Sequence, residues 1–456
     1  MRTSRIPLVA GAVFLIAAGP ATPRTWYVKP DSTGDVPTIA VAVDSAAAEG
    51  DTVLLADGTF TGPGNKEVDC LDKALTITSE SGDPETCIIN CGGVSDPFVE
   101  LAAFYFNPSE NGIQRLEGVT ITRGCGGVIC NSGSSPEILN CILRDNWCMA
   151  CEIGYPGAAM RCLPGSHATI TDCVFRENDA MAGGGVYCDD ASLTFTNTSF
   201  IENYGSEGGA ILGEGSLALV SCLFERNFGG GAPMGERLGG GLSWEGSVDA
   251  TDCVFRDNIC NMGPGGAIHY TGVSQSDLLT LAGCVFEGNC SDDEGAAVAV
   301  ISYWSEVNAA VSISRCTFVG NGLCVDSFGG STLCLATAGD ITIENTLVAY
   351  GTAGGALCPT TITPVLTCCD IYGNEGGDWT GTIESQLGVN GNISADPLFC
   401  DAQGGDYRLE TCSPCLPGNH PDGYDCGVPI GAYCSGCPCK TSTLPSTWGA
   451  IKAMYR

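Results

Sequence analysis

The sequence predicts an all-β chain wound as a parallel β-helix, on three observations. The hexapeptide Cys-x-Phe-x-x-Asn recurs at Cys173–Asn178, Cys222–Asn227, Cys253–Asn258, Cys284–Asn289 and Cys316–Asn321, with looser copies at Cys141–Asn146, Thr198–Asn203 and Cys369–Asn374. With Thr346 counted between Cys316 and Cys369, the steps are 23 to 32 residues, the mark of one supersecondary unit stacked many times. Each interval holds three short segments of alternating apolar and polar residues, parted by glycine clusters and by Asn or Asp. The shortest steps, 22 residues from Val119 to Cys141 and 23 from Thr346 to Cys369, suffice for three short strands with tight corners.

Residues 1–21 read as a secretory signal: Arg2 and Arg5, then the apolar stretch Ile6 to Ala18, then Gly19-Pro20-Ala21 as a cleavage site. The apolar stretch is too short to span a bilayer, and no later segment is long and apolar enough to do so. Residues 22–60 are expected to cap the N-terminal end. Thr25–Pro30 forms a strand, Pro37–Ala48 an amphipathic helix with Ile39, Ala42, Val43, Ala46 and Ala47 on one side, and Asp51–Ala56 a strand closed by the Asp57-Gly58 turn. A capping helix blocks the open edge that a solenoid would otherwise expose.

Residues 61–400 are expected to hold the coils, clearest from Leu75 to Asn374. One strand of each coil follows a glycine cluster, as in Gly183–Val186, Gly208–Ile211, Gly239–Leu242, Gly265–Ile268 and Gly354–Leu357. The next alternates, as in Ala168–Thr171, Leu193–Thr196, Leu217–Val220, Val311–Ser314 and Ile341–Glu344. The third is the Cys-x-Phe segment. Alternation turns one apolar set inward, and Asp172, Asn197, Asp252 or Asn345 takes the bend before Cys-x-Phe, since Asn and Asp tolerate left-handed backbone. About a dozen coils at ~4.8 Å give a rod of about 55–60 Å. Asn178, Asn203, Asn227, Asn258, Asn289 and Asn321 should form a ladder of amides at one corner. Trp244 and Tyr270 share a repeat position with Cys188 and Val300 and should stack inside. Extra length enters at 147–156 and 228–238, before the glycine strands, and at 271–277 and 301–310, after them. Individual function belongs in such loops. Residues 401–440, rich in Cys, Gly and Pro, are expected to close the C-terminal end, and 441–456 to form a linker and short tail.

The paired GGA[ILV] and FxxN repeats, complete in Gly208-Gly-Ala-Ile211 and Phe224-Glu-Arg-Asn227, resemble the passenger region of the polymorphic outer-membrane protein family over about residues 119–374. That resemblance implies a right-handed parallel β-helix displayed at a cell surface, often in adhesion. The family's β-barrel translocator has no counterpart in the pattern of residues 375–456. Thr33–Ile39, Gly50–Val53 and Asp57–Phe60 resemble the start of pectin-lyase-like β-helix proteins, which implies the fold and brings no catalytic residue with it.

The chain has 456 residues and a formal net charge of −33. That acidity argues against nucleic acid, anionic lipid and polyanionic polysaccharide as partners unless a divalent cation bridges them. Twenty-nine cysteines in an exported chain suggest disulfides. Cys141, Cys173, Cys222, Cys253, Cys284, Cys316 and Cys369, however, share one repeat position and read as a buried column of small apolar residues. The bridge candidates are the off-register cysteines Cys87, Cys91, Cys148, Cys151 and Cys162, with Cys260 and Cys290, and the C-terminal group of Cys400, Cys412, Cys415, Cys426, Cys434, Cys437 and Cys439. Connectivity is not readable from the sequence.

No catalytic set stands out. Val119 to Asn374 contains no Lys. Arg144, Arg176, Arg226 and Arg256 share the Cys-x-Phe corner with Glu177, Glu202, Glu225, Asp257 and Glu287 and read as solvated scaffold. Arg161 and Arg237 are off-register, without a distinctive acidic neighbour pattern. His167, His269 and His420 are isolated. Terminal Cys-x-x-Cys spacing fits zinc, but disulfides fit an exported chain better. Asp292-Asp293-Glu294 would hold calcium only weakly, and no cofactor is expected. Tyr303 and Trp304, in an inserted loop, are candidate sugar-stacking residues. The expectation is an exported, monomeric, non-catalytic β-helix at the cell surface or outer membrane, binding glycan or a surface protein through its loops. The alternative is a polysaccharide lyase, hydrolase or esterase of the pectin-lyase-like class.

Overall fold

The computed structural model describes residues 22–440 except 47–49, 94–100, 110–111, 150–156, 231–237, 302–308, 325–329, 353, 359 and 361. The signal segment 1–21, the tail 441–456, Cys151, Arg237, Tyr303 and Trp304 lie outside the described residues.

The Cys-x-Phe segments and their equivalents, from Gly58–Phe60 to Asp370–Tyr372, form one 12-stranded sheet. Successive coils pair in parallel and in register, Phe200 beside Phe224 and Phe224 beside Phe255. The glycine strands and the alternating strands share a 20-stranded sheet. In three successive coils these two strands fuse into one: Val186–Thr196, Ile211–Val220 and Leu242–Thr251. No insertion separates them there, and Gly215 and Gly246 take the bend at φ 111° and 109°. A fourth strand, two to four residues long, follows the Asn corner and forms a 7-stranded sheet from Trp147–Cys148 to Gly322–Leu323. It is absent from the sequence reading because two residues are too few for alternation to show.

Register makes the interior. The rings of Phe175, Phe200, Phe224, Phe255, Phe286 and Phe318 stack with centroids 4.6–5.0 Å apart. Burying each stabilises the coil by about 2–3 kcal/mol. The column from Cys141 to Cys369 consists of buried free thiols, each close to the carbonyl two residues before it, as Cys173 Sγ is to Thr171 O at 3.2 Å. Trp244 and Tyr270 are register partners in the interior. Gly213 opposes Trp244, and a Cβ there would lie 2.7 Å from the indole. Asp172, Asn197, Asp252 and Asn345 hold φ of 54°, 48°, 53° and 48° at the bend.

Each ladder Asn is saturated. Asn227 Nδ2 donates to Phe200 O and to Asn258 Oδ1, both at 2.9 Å, while its Oδ1 accepts from Asn203 N and Nδ2, both at 3.0 Å. The side-chain chain runs Asn146–Asn178–Asn203–Asn227–Asn258–Asn289–Asn321 with links of 2.9–3.0 Å.

At the N-terminal end, helix Ile39–Ser45 buries Ile39, Ala42 and Val43. Thr38 caps it, and its first amides reach Asn65 Oδ1 and Gly64 O at 3.1 and 2.8 Å. It stops at Ser45, short of the expected Ala48, where Ala46 turns extended.

Residues 401–440 lie along a flank of the last coils. Phe399, Tyr407, Leu409, Cys415 and Ile430 form a second core with Val285, Val319, Leu347 and Ala349, which point outward from the Cys-x-Phe sheet. Tyr407 Oη donates to Glu287 Oε1 at 2.7 Å, and Ala432 N to Thr317 Oγ1 at 2.9 Å. The sequence reading puts this segment at the C-terminal end. The outward apolar residues explain the difference, since at the register of Val319 and Ala349 the earlier coils carry Arg144, Arg176, Glu225, Arg256 and Glu287, which need no cover.

Disulfides join Cys125 to Cys148, Cys290 to Cys324, Cys368 to Cys426, Cys400 to Cys437 and Cys412 to Cys439. Of the other bridge candidates, Cys87, Cys91, Cys162, Cys260, Cys415 and Cys434 are free thiols. All but Cys434 are buried and pack as small apolar residues, with Cys415 bonded to Asp370 instead.

Candidate functional site on the outer face of the glycine strands

Insertions 150–156, 231–237 and 325–329 enter before a glycine strand, and 272–277 and 302–308 after one. In chain order the glycine strand lies between these two corners, so the insertions enter the chain at one or the other of its ends.

Two outward columns run along the outer face of the glycine strands. The first passes through Arg161, Tyr187, Leu212, Ser243, His269, Ala299 and Cys334 in register. Leu212, Ser243 and His269 are at most 3% exposed although they point away from the core. The preceding corner folds over them: a Cβ on Gly265 or Gly239 would fall 2.8 or 3.2 Å from the His269 amide nitrogen. Ser243 Oγ lies 3.4 Å from His269 Nδ1.

The second column holds carboxylates on three successive coils. Glu214 and Glu245 are direct register partners. Asp189 sits one coil earlier, in the irregularity between Cys188 and Ala191 where the register shifts against Gly213 and Gly215. Such bulges re-aim side chains, and Asp190 beside it takes a left-handed φ of 43°. Adjacent strands are about 4.8 Å apart, which sets the rung spacing of the three acids. All three are half-buried. Thr271 follows on the next coil, and Arg161 is one coil before Tyr187. Partly exposed carboxyl groups on neighbouring rungs supply the acid and base or nucleophile that glycosidic cleavage needs.

The sequence reading missed these acids and set Arg161 aside. The signal was present, because the three acids fall in register once the strands are aligned on their glycine clusters. Charges at the Cys-x-Phe corner behave as scaffold: Arg226 pairs with Glu202 and Glu225 at 2.8 and 2.7 Å, and Arg256 with Glu287 at 2.7 Å, on the surface. Pairs so placed contribute about 0–1 kcal/mol each.

The expected weak calcium ligands do not converge. Asp292 Oδ2 accepts from Met262 N, Asp293 Oδ1 from Glu294 N, and Glu294 Oε2 from Ser331 Oγ, at 2.8–3.0 Å. His167 is exposed, and His420 Nε2 lies 3.0 Å from Gly391 O. In the C-terminal group, Cys412 and Cys439 lie with Glu410 within 4.8 Å of one another but are joined in a disulfide, and Cys437 is bridged to Cys400.

A family model described as a right-handed β-helix region matches residues 126–309. The fold is thus a right-handed parallel β-helix. No curated protein matches the chain. Among solved structures, the chain is similar to the pectate lyase Pel9A at 11% identity, covering 92% of this chain and 98% of that one, with a TM-score of 0.41. It is similar to a GH87 α-1,3-glucanase catalytic domain in complex with nigerose at 10% identity and a TM-score of 0.41, covering 76% of this chain and 64% of that one. It is also similar to the PL6 family alginate lyase AlyGC at 12% identity and a TM-score of 0.40, covering 82% and 54%. The chain thus spans less than two thirds of the glucanase domain and about half of the alginate lyase.

Proposed function

We propose that this is an exported carbohydrate-active protein that binds a neutral polysaccharide along the outer face of its glycine strands and hydrolyses it with Glu214 and Glu245. The observation that carries the reading is the direct register of Glu214 and Glu245 on the outer face of the glycine strands, with Asp189 in the bulge one coil before them. Neutral glycans fit best because a net charge of −33 repels uronate chains. Hydrolysis fits better than elimination because Glu214 and Glu245 sit on adjacent coils, whereas Arg161, the basic residue of this face, lies two coils before Glu214. Five disulfides favour an oxidising compartment outside the cytoplasm.

The test is release of reducing ends from a panel of neutral glucans, mannans and xylans. Glu214→Gln and Glu245→Gln should each lower the rate by about 10²–10⁴-fold, while the exposed Asp249→Asn leaves it unchanged. If neither Gln variant slows the release seen with the unaltered protein, the assignment is wrong.

A non-catalytic surface protein is the second reading, favoured by the partly exposed Tyr105 and Tyr187 on the same face, which suit sugar stacking. Adhesion through the loops, with Tyr303 and Trp304 among the contacts, belongs to that reading. It predicts glycan retention without products, lost in Tyr187→Ala.

A further inference from the structure

The first outward column ends in a cluster that the carbohydrate reading does not use. Cys334 follows Leu333, which bridges Leu357 of the next coil, so Cys334 and Cys358 lie side by side. Both are buried, 3% and 5% exposed. Glu294, half-buried, comes from the coil before. One sulfur from each cysteine and one carboxylate oxygen lie within 4.8 Å of one another. Three consecutive coils therefore contribute one donor each to a single point.

We propose that Glu294, Cys334 and Cys358 form a zinc site. Two sulfurs on one tetrahedral zinc, each at about 2.3 Å, are about 3.8 Å apart. A carboxylate oxygen at about 2.0–2.2 Å closes the third edge. Donors within 4.8 Å of one another need only small rotamer changes to meet those distances. The donor set selects the metal: thiolates favour zinc, whereas calcium and magnesium demand oxygen ligands in larger number. A fourth position remains for water.

The surroundings agree. Ser331 Oγ donates to Glu294 Oε2 at 2.8 Å and orients the carboxylate, the outer support that metal ligands generally carry. Zinc binding would release the protons of both thiols, and the zinc, two thiolates and one carboxylate together would carry one formal negative charge. It would also tie three coils together near the C-terminal end of the glycine-strand column, where Leu333–Cys334 is only two residues long.

The experiment uses the full chain, reduced only as far as mass spectrometry shows its five disulfides intact, stripped with a chelator and titrated with zinc, then with cobalt(II) as a spectroscopic probe. The expected result is one tightly bound equivalent, thiolate-to-cobalt charge-transfer absorption, and a higher melting temperature with zinc. Cys334→Ser and Cys358→Ser should each remove that absorption and the thermal shift. Glu294→Gln should weaken zinc by about tenfold or more. Cys434→Ser, which changes the exposed free thiol, should alter nothing. The proposal is overturned if the reduced protein takes up no zinc, or if its zinc persists in the Cys334→Ser/Cys358→Ser double variant. Peptide mapping of protein purified without reductant tells the two causes of failed uptake apart: a Cys334–Cys358 disulfide that admits no zinc after reduction assigns the pair a covalent role instead.

Discussion

Asn227→Ala tests whether the amide ladder holds the coils together. Asn227 is fully buried and makes four side-chain hydrogen bonds, with Asn203 N, Asn203 Nδ2, Phe200 O and Asn258 Oδ1. Alanine removes all four. Asn203 Nδ2 keeps its bond to Phe175 O, and Asn258 Oδ1 still accepts from Asn227 N. Asn203 N loses its ladder acceptor, and Phe200 O loses its amide donor. Each buried group stripped of a partner costs about 1–3 kcal/mol. The sum, with the small void, is on the order of 4 kcal/mol. Asn227→Asp should cost at least as much, because it keeps the acceptor but replaces both donors with a buried charge. Arg226→Ala next to it removes only surface ion pairs and should cost about 0–1 kcal/mol. Urea unfolding followed by tryptophan fluorescence reads this directly, since Trp244 is buried near this coil. The ladder argument fails if Asn227→Ala shifts the transition no more than Arg226→Ala does.

Asp370 gives a pH prediction. Burial against the C-terminal segment pushes its carboxyl up to about 7 despite bonds from Cys415 Sγ and Ala395 N. A folded pKa above the unfolded value means the stabilisation is complete below about pH 4 and is lost as pH rises towards 7. The loss is on the order of 4 kcal/mol. Asp370→Asn should flatten that slope in denaturation midpoints between pH 4 and 8, and an equal slope in both proteins would refute the argument. Gly213→Val should destabilise the chain by roughly 1–3 kcal/mol or more through overpacking, because its Cβ meets Trp244 and the Cys188 Cβ at 2.7 and 2.6 Å; an unchanged melting temperature would contradict it. Tyr407→Phe removes the bond to Glu287 and should cost about 1 kcal/mol. Limited proteolysis should then cut more readily within residues 401–440, and unaltered cleavage would show that the bond does not hold the segment.

The interior was legible in the sequence because stacking in register leaves it no freedom. Each Phe must meet the Phe of the next coil, and each Asn the next Asn, so a mismatch is costly on both sides. That requirement writes the same residue at the same position from Cys173 to Asn321. Outward positions carry no such demand, and the eye that follows repeats passes over them. Glu214 and Glu245 differ from their neighbours on adjacent coils, Asp189 and Thr271, and so looked like noise. The flank covered by residues 401–440 was obscure for a related reason. Val319, Leu347 and Ala349 alternate with Phe318 and Val348. A Cys-x-Phe strand apolar on both faces announces a cover, but periodicity alone does not say which segment supplies it.

The two outward sides of this helix differ in how their charges recur, and the difference bears on where function lies. On the Cys-x-Phe side charge returns at the corner of coil after coil: Arg144 and Arg176 are register partners, Glu225 approaches Arg226 and Arg256, and Arg256 meets Glu287. Charge repeated in that way belongs to the stacked unit. On the glycine-strand side the acids sit on the three coils whose strands fuse, with Glu214 and Glu245 in register and Asp189 in the bulge one coil before, and Thr271 follows where the strands part again. Charges confined to a few coils are not demanded by the repeat, and positions that depart from the repeat are where a solenoid carries its individual function.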